Sequence, residues 1–255
     1  MNTNPAKEQY NSMSFFYDVL YANYDVSEFG NEFIKEHEKL LATLSENAKI
    51  LDSSCGKGVQ AVALKEQGFD ITATDISKEM IHLTESYAED NNLSIPTKCL
   101  AWNELPHEFD NIFDIVFCWG NSISHSLGKG DMINNLSSFY NVIKDDGKVV
   151  IHTRNWEKIL KDNKRYQSLP VREYNNRKYI PMYIWNLSGF NQKSYVDILF
   201  IEIREDETTS HTSFRLDFVP FSHIDLIDRL KTTGFEISYD NYNEKNDFYY
   251  VVAGK

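Results

Sequence analysis

The sequence predicts a doubly wound α/β fold, a mostly parallel seven-stranded sheet with an antiparallel β-rich insertion covering the expected site. Three observations predict this. Short apolar strands alternate with amphipathic helices from Lys49 to Thr153, the rhythm changes to long strands without helices from about Lys178, and a last helix and two strands close the chain. Strand–helix alternation implies parallel pairing through right-handed crossovers.

In order along the chain, the first ~45 residues read as helical and end in NEFIKEHEKLLATL, with Phe33, Leu40 and Leu41 in an apolar stripe. KILDSS is a short buried strand, and GKGVQAVALKEQG is a helix stopped by Gly68. FDITATD is the second strand; Ser77 then caps a helix carrying Met80, Leu83 and Tyr87 on one face. TKCLA, FDIVFCW and KVVIHT are further strands. Between the last two a helix is expected from Asp131 to about Asp145, with Met132, Leu136, Phe139 and Ile143 on one face and Gly147 as its stop. KYIPMYIWN, KSYVDILFIEIRE and HTSFRLDFV read as an antiparallel meander. A helix from Ser222 to Gly234 and the strands FEISYD and DFYYVVAG complete the chain. With no internal repeat or low-complexity linker, the expectation is one domain. It divides into a helical cap (1–47), a nucleotide-binding core (48–160), a β-rich insertion (161–220) and a final helix with core strands (221–255).

Composition narrows the function classes. The 255 residues are 42% hydrophobic and 25% charged, an ordinary globular balance. No stretch approaches the roughly 20 apolar residues of a membrane span. The N-terminal stretch lacks a basic segment followed by an apolar core, so a cytoplasmic protein without a signal peptide is expected. Cys55, Cys99 and Cys118 have spacings of neither a zinc site nor a disulfide framework. A net charge of −12, with Lys and Arg scattered among acids, argues against nucleic acid as partner. A small molecule is the expected substrate.

The densest signal is Ile50-Leu51-Asp52-Ser53-Ser54-Cys55-Gly56-Lys57-Gly58, at the first strand-to-helix junction, where α/β sheets bind nucleotides. Gly56 and Gly58 allow a tight turn and close approach of a ligand. An apolar strand ending in Asp52 ahead of the glycines suits a ligand with an amino group and no pyrophosphate. Asp75 ends the next strand, where an acid about 20 residues on holds a ribose hydroxyl pair. Two more strand ends face the expected crevice. One runs into Gly120-Asn121-Ser122 and the other into Arg154-Asn155. A carboxamide oxygen accepts from an amine, and a guanidinium fork matches a carboxylate. Asn121 and Arg154 would therefore orient an amino acid by both ends. His125 could relay an amine proton, although a satisfied structural histidine is the simpler role. Cys55 and Cys118 lie in apolar strand contexts and read as packing residues.

The segment ILDSSCGKGVQAVALKEQGFDITATDISKEMI resembles motifs I and II of class I S-adenosylmethionine-dependent methyltransferases, which have a Rossmann-like fold. The resemblance implies S-adenosylmethionine as cofactor. The Gly56–Gly58 loop would lie on its methionine moiety, Asp75 on its ribose, and Ser54, Ile76 and Met80 around it. Ser54 replaces the Gly or Ala usual there. In CLAWNEL, Trp102 takes the place of a residue that packs on adenine, and Ala101 stands where an Asn or Asp contacts it. CWGNSISHSL, HTRNWEKIL and FRLDFVPFSHIDLIDRL resemble segments of glycine N-methyltransferase and the glycine/sarcosine N-methyltransferases. That narrower resemblance implies N-methylation of a small amino acid, with Asn121 at the amine and Arg154 at the carboxylate. YDVLYANYD resembles a Tyr-rich lid over the donor, which makes Tyr17 and Tyr24 candidates.

A sulfonium is an activated donor, so methyl transfer is an in-line displacement by a neutral amine and asks for neither a metal nor a covalent nucleophile. Holding the reacting atoms in line is worth up to ~7–11 kcal/mol. Three alternatives stay open: another small acceptor for O- or C-methylation, a donor-binding protein without turnover, and a dehydrogenase, disfavoured because the loop lacks a clear third glycine.

Overall fold

The computed structural model describes residues 5–163, 165–204, 206 and 208–255; the expected helical character of residues 1–4 lies outside them. Two helices, α1 (Ala6–Tyr21) and α2 (Val26–Leu41), precede the first strand. The Asp25 carboxylate starts α2 by accepting the Ser27 N–H at 3.0 Å. Then come β1 (Lys49–Asp52), α3 (Val59–Glu66), β2 (Asp70–Asp75), α4 (Lys78–Asp90), β3 (Thr97–Cys99), the single turn α5 (Leu105–Glu108), β4 (Phe113–Cys118), α6 (Lys129–Val142), β5 (Ile143–Arg154) and α7 (Trp156–Asp162). The insertion holds β6 (Tyr166–Ser168), β7 (Arg172–Tyr174), β8 (Arg177–Asn186), β9 (Ser194–Ile203) and β10 (Thr209–Phe218); α8 (His223–Thr233), β11 (Glu236–Asp240) and β12 (Phe248–Gly254) follow. Among the described residues no helix is long and apolar enough to cross a membrane.

The main sheet runs β11-β12-β5-β4-β1-β2-β3. β1 pairs in parallel with β2 and β4, as do β2 with β3 and β4 with β5, whereas β12 lies antiparallel to β5 and β11. This is the predicted seven-stranded, mostly parallel arrangement. Its cause is visible in β1 and β4, where Ile50, Leu51, Ile115, Val116 and Phe117 are sealed on both faces. Strand order reverses between β1 and β4, so a crevice opens outside their carboxyl ends. The insertion forms a second, antiparallel sheet ordered β10-β9-β8-β6, with β7 also paired to β8. α1 is wedged between the two sheets. Its Phe16 ring lies 4.6 Å from Phe200, 5.1 Å from Phe214 and 6.1 Å from Tyr179, all on the inner face of the insertion.

Ser77 caps α4 by accepting the Met80 N–H at 3.2 Å, and Ser222 caps α8 by accepting the Asp225 N–H at 3.1 Å, as the sequence suggests. The helix before β5 behaves differently. α6 ends at Val142, Ile143 already pairs with Phe113, and Gly147 lies inside β5 rather than stopping a helix. There a Cβ on Gly147 would sit 2.9 Å from the Phe113 carbonyl oxygen and from the Lys144 nitrogen. The glycine serves close strand approach, not a left-handed turn.

Gly58 and Gly68 both have left-handed φ, +88° and +89°, but a Cβ on Gly58 would lie 2.9–3.1 Å from Thr84 while one on Gly68 meets nothing within 4 Å. Alanine at either site carries about 1–2 kcal/mol of backbone strain. Gly58→Ala is therefore expected to lower the melting temperature at least twice as far as Gly68→Ala, a comparison that thermal unfolding of the two variants makes directly.

Candidate active site

The chain leaves β1 at Asp52 and folds back at Gly56 (φ +53°) and Gly58, where the Gly58 N–H reaches the Cys55 carbonyl at 2.7 Å. Asp75, at the end of β2, fastens this loop. One carboxylate oxygen accepts the Gly56 N–H at 3.0 Å and the other the Ser77 N–H at 2.9 Å. A carboxylate has about four lone-pair sites, so acceptor capacity remains for a diol. Burial raises the Asp75 carboxyl to about 6, held down in part by those N–H donors. Asp52 is buried with one oxygen unpartnered, and burial raises it to about 7. Burial likewise pushes the Cys118 thiol up to about 12 and raises Cys55, as expected of packing residues.

A cavity of about 720 Å³ opens beside this loop, between the main sheet, α1 and the insertion. Ser54, Gly56, Asp75, Ile76, Met80, Ala101, Trp102, Tyr17, Tyr24, Asn121, His125 and Arg154 all line it. Asp52 and Gly58 do not; they stand behind the wall and shape the loop. Trp102 is fixed by donating its indole N–H to the Ser53 carbonyl at 2.7 Å. The Tyr17 hydroxyl rests against Gly56, 3.5 Å from where a Cβ would be. Tyr24 sits further out, its hydroxyl accepting from Arg172 at 2.6 Å.

The far end is built on β4 and β5. Asn121 adopts a left-handed turn (φ +71°), and its carboxamide is spent within the protein. The oxygen accepts from the Thr153 hydroxyl at 3.0 Å and the Arg154 N–H at 3.1 Å, while the nitrogen donates to Ser124 at 2.8 Å. The expected amine acceptor therefore has both lone pairs in use; Asn121 fixes the backbone from which Arg154 projects. The Arg154 guanidinium lies over Phe248 at 4.8 Å and Trp185 at 5.3 Å. Among the described residues its side chain has no hydrogen-bond acceptor and no carboxylate within ion-pair distance. Behind it, His152 is stacked between Trp119 at 4.0 Å and Phe248 at 5.2 Å. Burial lowers the His152 imidazole to about 3, so this wall is neutral.

His125 is held at both nitrogens. Nδ1 lies 2.6 Å from the Asp217 carbonyl and must carry the proton, because a carbonyl only accepts. Nε2 then accepts the Tyr10 hydroxyl at 3.0 Å. Burial lowers the imidazole pKa, which keeps it neutral. The Tyr10 oxygen, its proton engaged, faces the cavity with lone pairs only. The sequence reading missed Tyr10. The signal was its spacing of seven from Tyr17, two helical turns along the α1 face that also carries Met13 and Tyr21.

Both buried carboxyls bind protons more tightly in the folded chain than in the unfolded one. Their folded values, about 6 and 7, lie above the unfolded value near 4, so stability is highest below that value and falls as pH rises through them. The slope is at most about 1.4 kcal/mol per pH unit for each group. Asp52→Asn is expected to flatten the fall between about pH 6 and 7, measured as melting temperature against pH in the ligand-free protein.

A methyltransferase domain family matches residues 50–147. The glycine/sarcosine N-methyltransferase of Aphanothece halophytica is 32% identical over 127 residues, 49% of this chain and 48% of that one. The ubiquinone biosynthesis O-methyltransferase of Rickettsia typhi is 36% identical over 124 residues, again 49% and 48%. The chain thus spans about half the length of these curated relatives. An S-adenosylmethionine-dependent methyltransferase from Clostridium acetobutylicum shares the fold over 96% of this chain and 98% of its own, with a TM-score of 0.73 at 17% identity. Residues 50–147 thus match a methyltransferase domain, and the chain as a whole shares the fold of the Clostridium acetobutylicum protein.

Proposed function

We propose that the protein methylates the amine of a small amino acid such as glycine or sarcosine, with S-adenosylmethionine as donor. One observation carries the acceptor assignment. Arg154 presents a guanidinium fork, braced between two aromatic rings and with no carboxylate within ion-pair distance among the described residues, to the same cavity as the glycine loop. Such a fork matches a carboxylate in two parallel hydrogen bonds.

The residues on the loop side fit the donor. Asp75 has lone pairs left for the ribose hydroxyls, Gly56 brings bare backbone to the wall, and Ile76, Met80 and Trp102 supply apolar surface near the strand ends. When bound, the donor supplies a sulfonium-activated methyl group. The chain's own part is positioning. Arg154 holds the acceptor's carboxylate, and Asn121 holds Arg154. The Tyr10 oxygen accepts an amine N–H, which turns the nitrogen lone pair away from Tyr10, and His125 keeps that oxygen's lone pairs facing the cavity by accepting the Tyr10 hydroxyl proton at Nε2. The glycine/sarcosine enzyme of Aphanothece halophytica supports this acceptor class. The Rickettsia typhi relative favours a second reading, O-methylation of another small acceptor.

The test is S-adenosylhomocysteine formation with glycine, sarcosine, dimethylglycine and phenolic acceptors. Turnover of an amino acid is expected. Turnover of phenols alone would install the second reading, and donor binding without any product would leave a binding protein. Arg154→Gln is expected to raise the KM for glycine about 10- to 100-fold with a smaller change in kcat, the loss of a charge-assisted bidentate pair. Unchanged glycine kinetics in that variant would overturn the acceptor assignment.

A further inference from the structure

A second cation in this cavity takes no part in the steps above. Arg172 opens β7 in the insertion and is only 5% exposed. Its Nε donates to the Leu20 carbonyl at 3.3 Å and its Nη2 to the Tyr24 hydroxyl at 2.6 Å, with the guanidinium 4.2 Å over the Tyr24 ring. Among the described residues no carboxylate lies within ion-pair distance of it. Nη1 has no hydrogen-bond partner there, yet it is not among the atoms sealed from solvent. Leaving a buried cation uncompensated costs several kcal/mol, and two neutral acceptors and one ring offset only part of that. The side chain is short of an anion.

Its place in the fold says which anion. Of the three Lys and Arg side chains on the cavity wall among the described residues, Lys57 is paired with Asp18. Arg154 stands at the end of β5, two strands from β1 and so about 10 Å from the glycine loop. Arg172 is tied instead to the last turn of α1. One turn earlier Tyr17 rests on Gly56, and Tyr24 shares with Tyr21 and Lys57 a recess of about 340 Å³ beside that loop. We infer that Arg172 receives the carboxylate of the donor's methionine, an assignment that rests on the donor reading proposed above. The insertion then contributes to donor binding through β7, which Arg172 already ties to the end of α1.

The experiment compares two ligands by calorimetry: S-adenosylhomocysteine, and 5′-methylthioadenosine, which keeps the nucleoside and thioether but lacks the amino-acid end. Wild-type protein should prefer S-adenosylhomocysteine. Arg172→Gln should weaken that ligand about 10- to 100-fold and leave methylthioadenosine unchanged, and Arg172→Lys should restore part of the loss. Equal weakening of both ligands assigns Arg172 to holding α1 in place and overturns the inference, as does unchanged binding of both. Loss of the preference in Arg154→Gln but not in Arg172→Gln overturns it too. A wild-type protein that binds neither ligand removes the donor reading itself, a result separate from all of these.

Discussion

The Asp75 carboxylate holds the site together. By accepting the N–H of Gly56 with one oxygen and that of Ser77 with the other, it fastens the loop after β1 to the start of α4. Backbone N–H groups at a tight turn have few other acceptors once water is excluded, so a buried acid at the end of β2 is what lets the loop stay open-faced. Thr84 adds a second constraint by filling the space against Gly58, which leaves no room for a side chain there. The remaining acceptor capacity of Asp75 points the same way as the loop, toward the crevice that the reversal of strand order creates.

Charge in the cavity is arranged by subtraction. Burial raises the acids and lowers the histidines, so His125 and His152 are neutral at physiological pH while Asp75 stays mostly ionised. Arg154 and Arg172 have no carboxylate within ion-pair distance among the described residues. A protein that needed these cations only for stability would pair them, as Lys57 is paired with Asp18 and Arg215 with Asp197. Two unpaired guanidiniums on the wall of one cavity are instead a demand for two anions. The proposed donor and amino-acid acceptor, each bearing one carboxylate, would meet it.

Much of this was legible in the sequence because strand ends and glycines report backbone geometry. β1 with its loop, Asp75 and Arg154 all fell where short apolar runs stopped. Side-chain bookkeeping was not legible. Asn121 was expected to greet a ligand, yet its amide is consumed by Thr153, Arg154 and Ser124, partners 3 to 33 residues away that no spacing rule connects. Arg172 lies in SLPVREYNNR, a stretch without periodicity, and gains meaning only when β7 is laid against α1. Gly147 misled for a related reason. A glycine after an apolar helical face signals a stop, but the close approach to Phe113 that requires it comes from the neighbouring strand.

α1 joins these observations. One face of it packs Phe16 into the insertion through Phe200, Phe214 and Tyr179, and another presents Tyr10, Met13, Tyr17 and Tyr21 to the cavity. Aromatic residues on both faces let a single helix be glue on one side and binding wall on the other. The insertion and the glycine loop therefore share α1 as a common wall. The antiparallel sheet is thus coupled through α1 to the cavity beside the glycine loop.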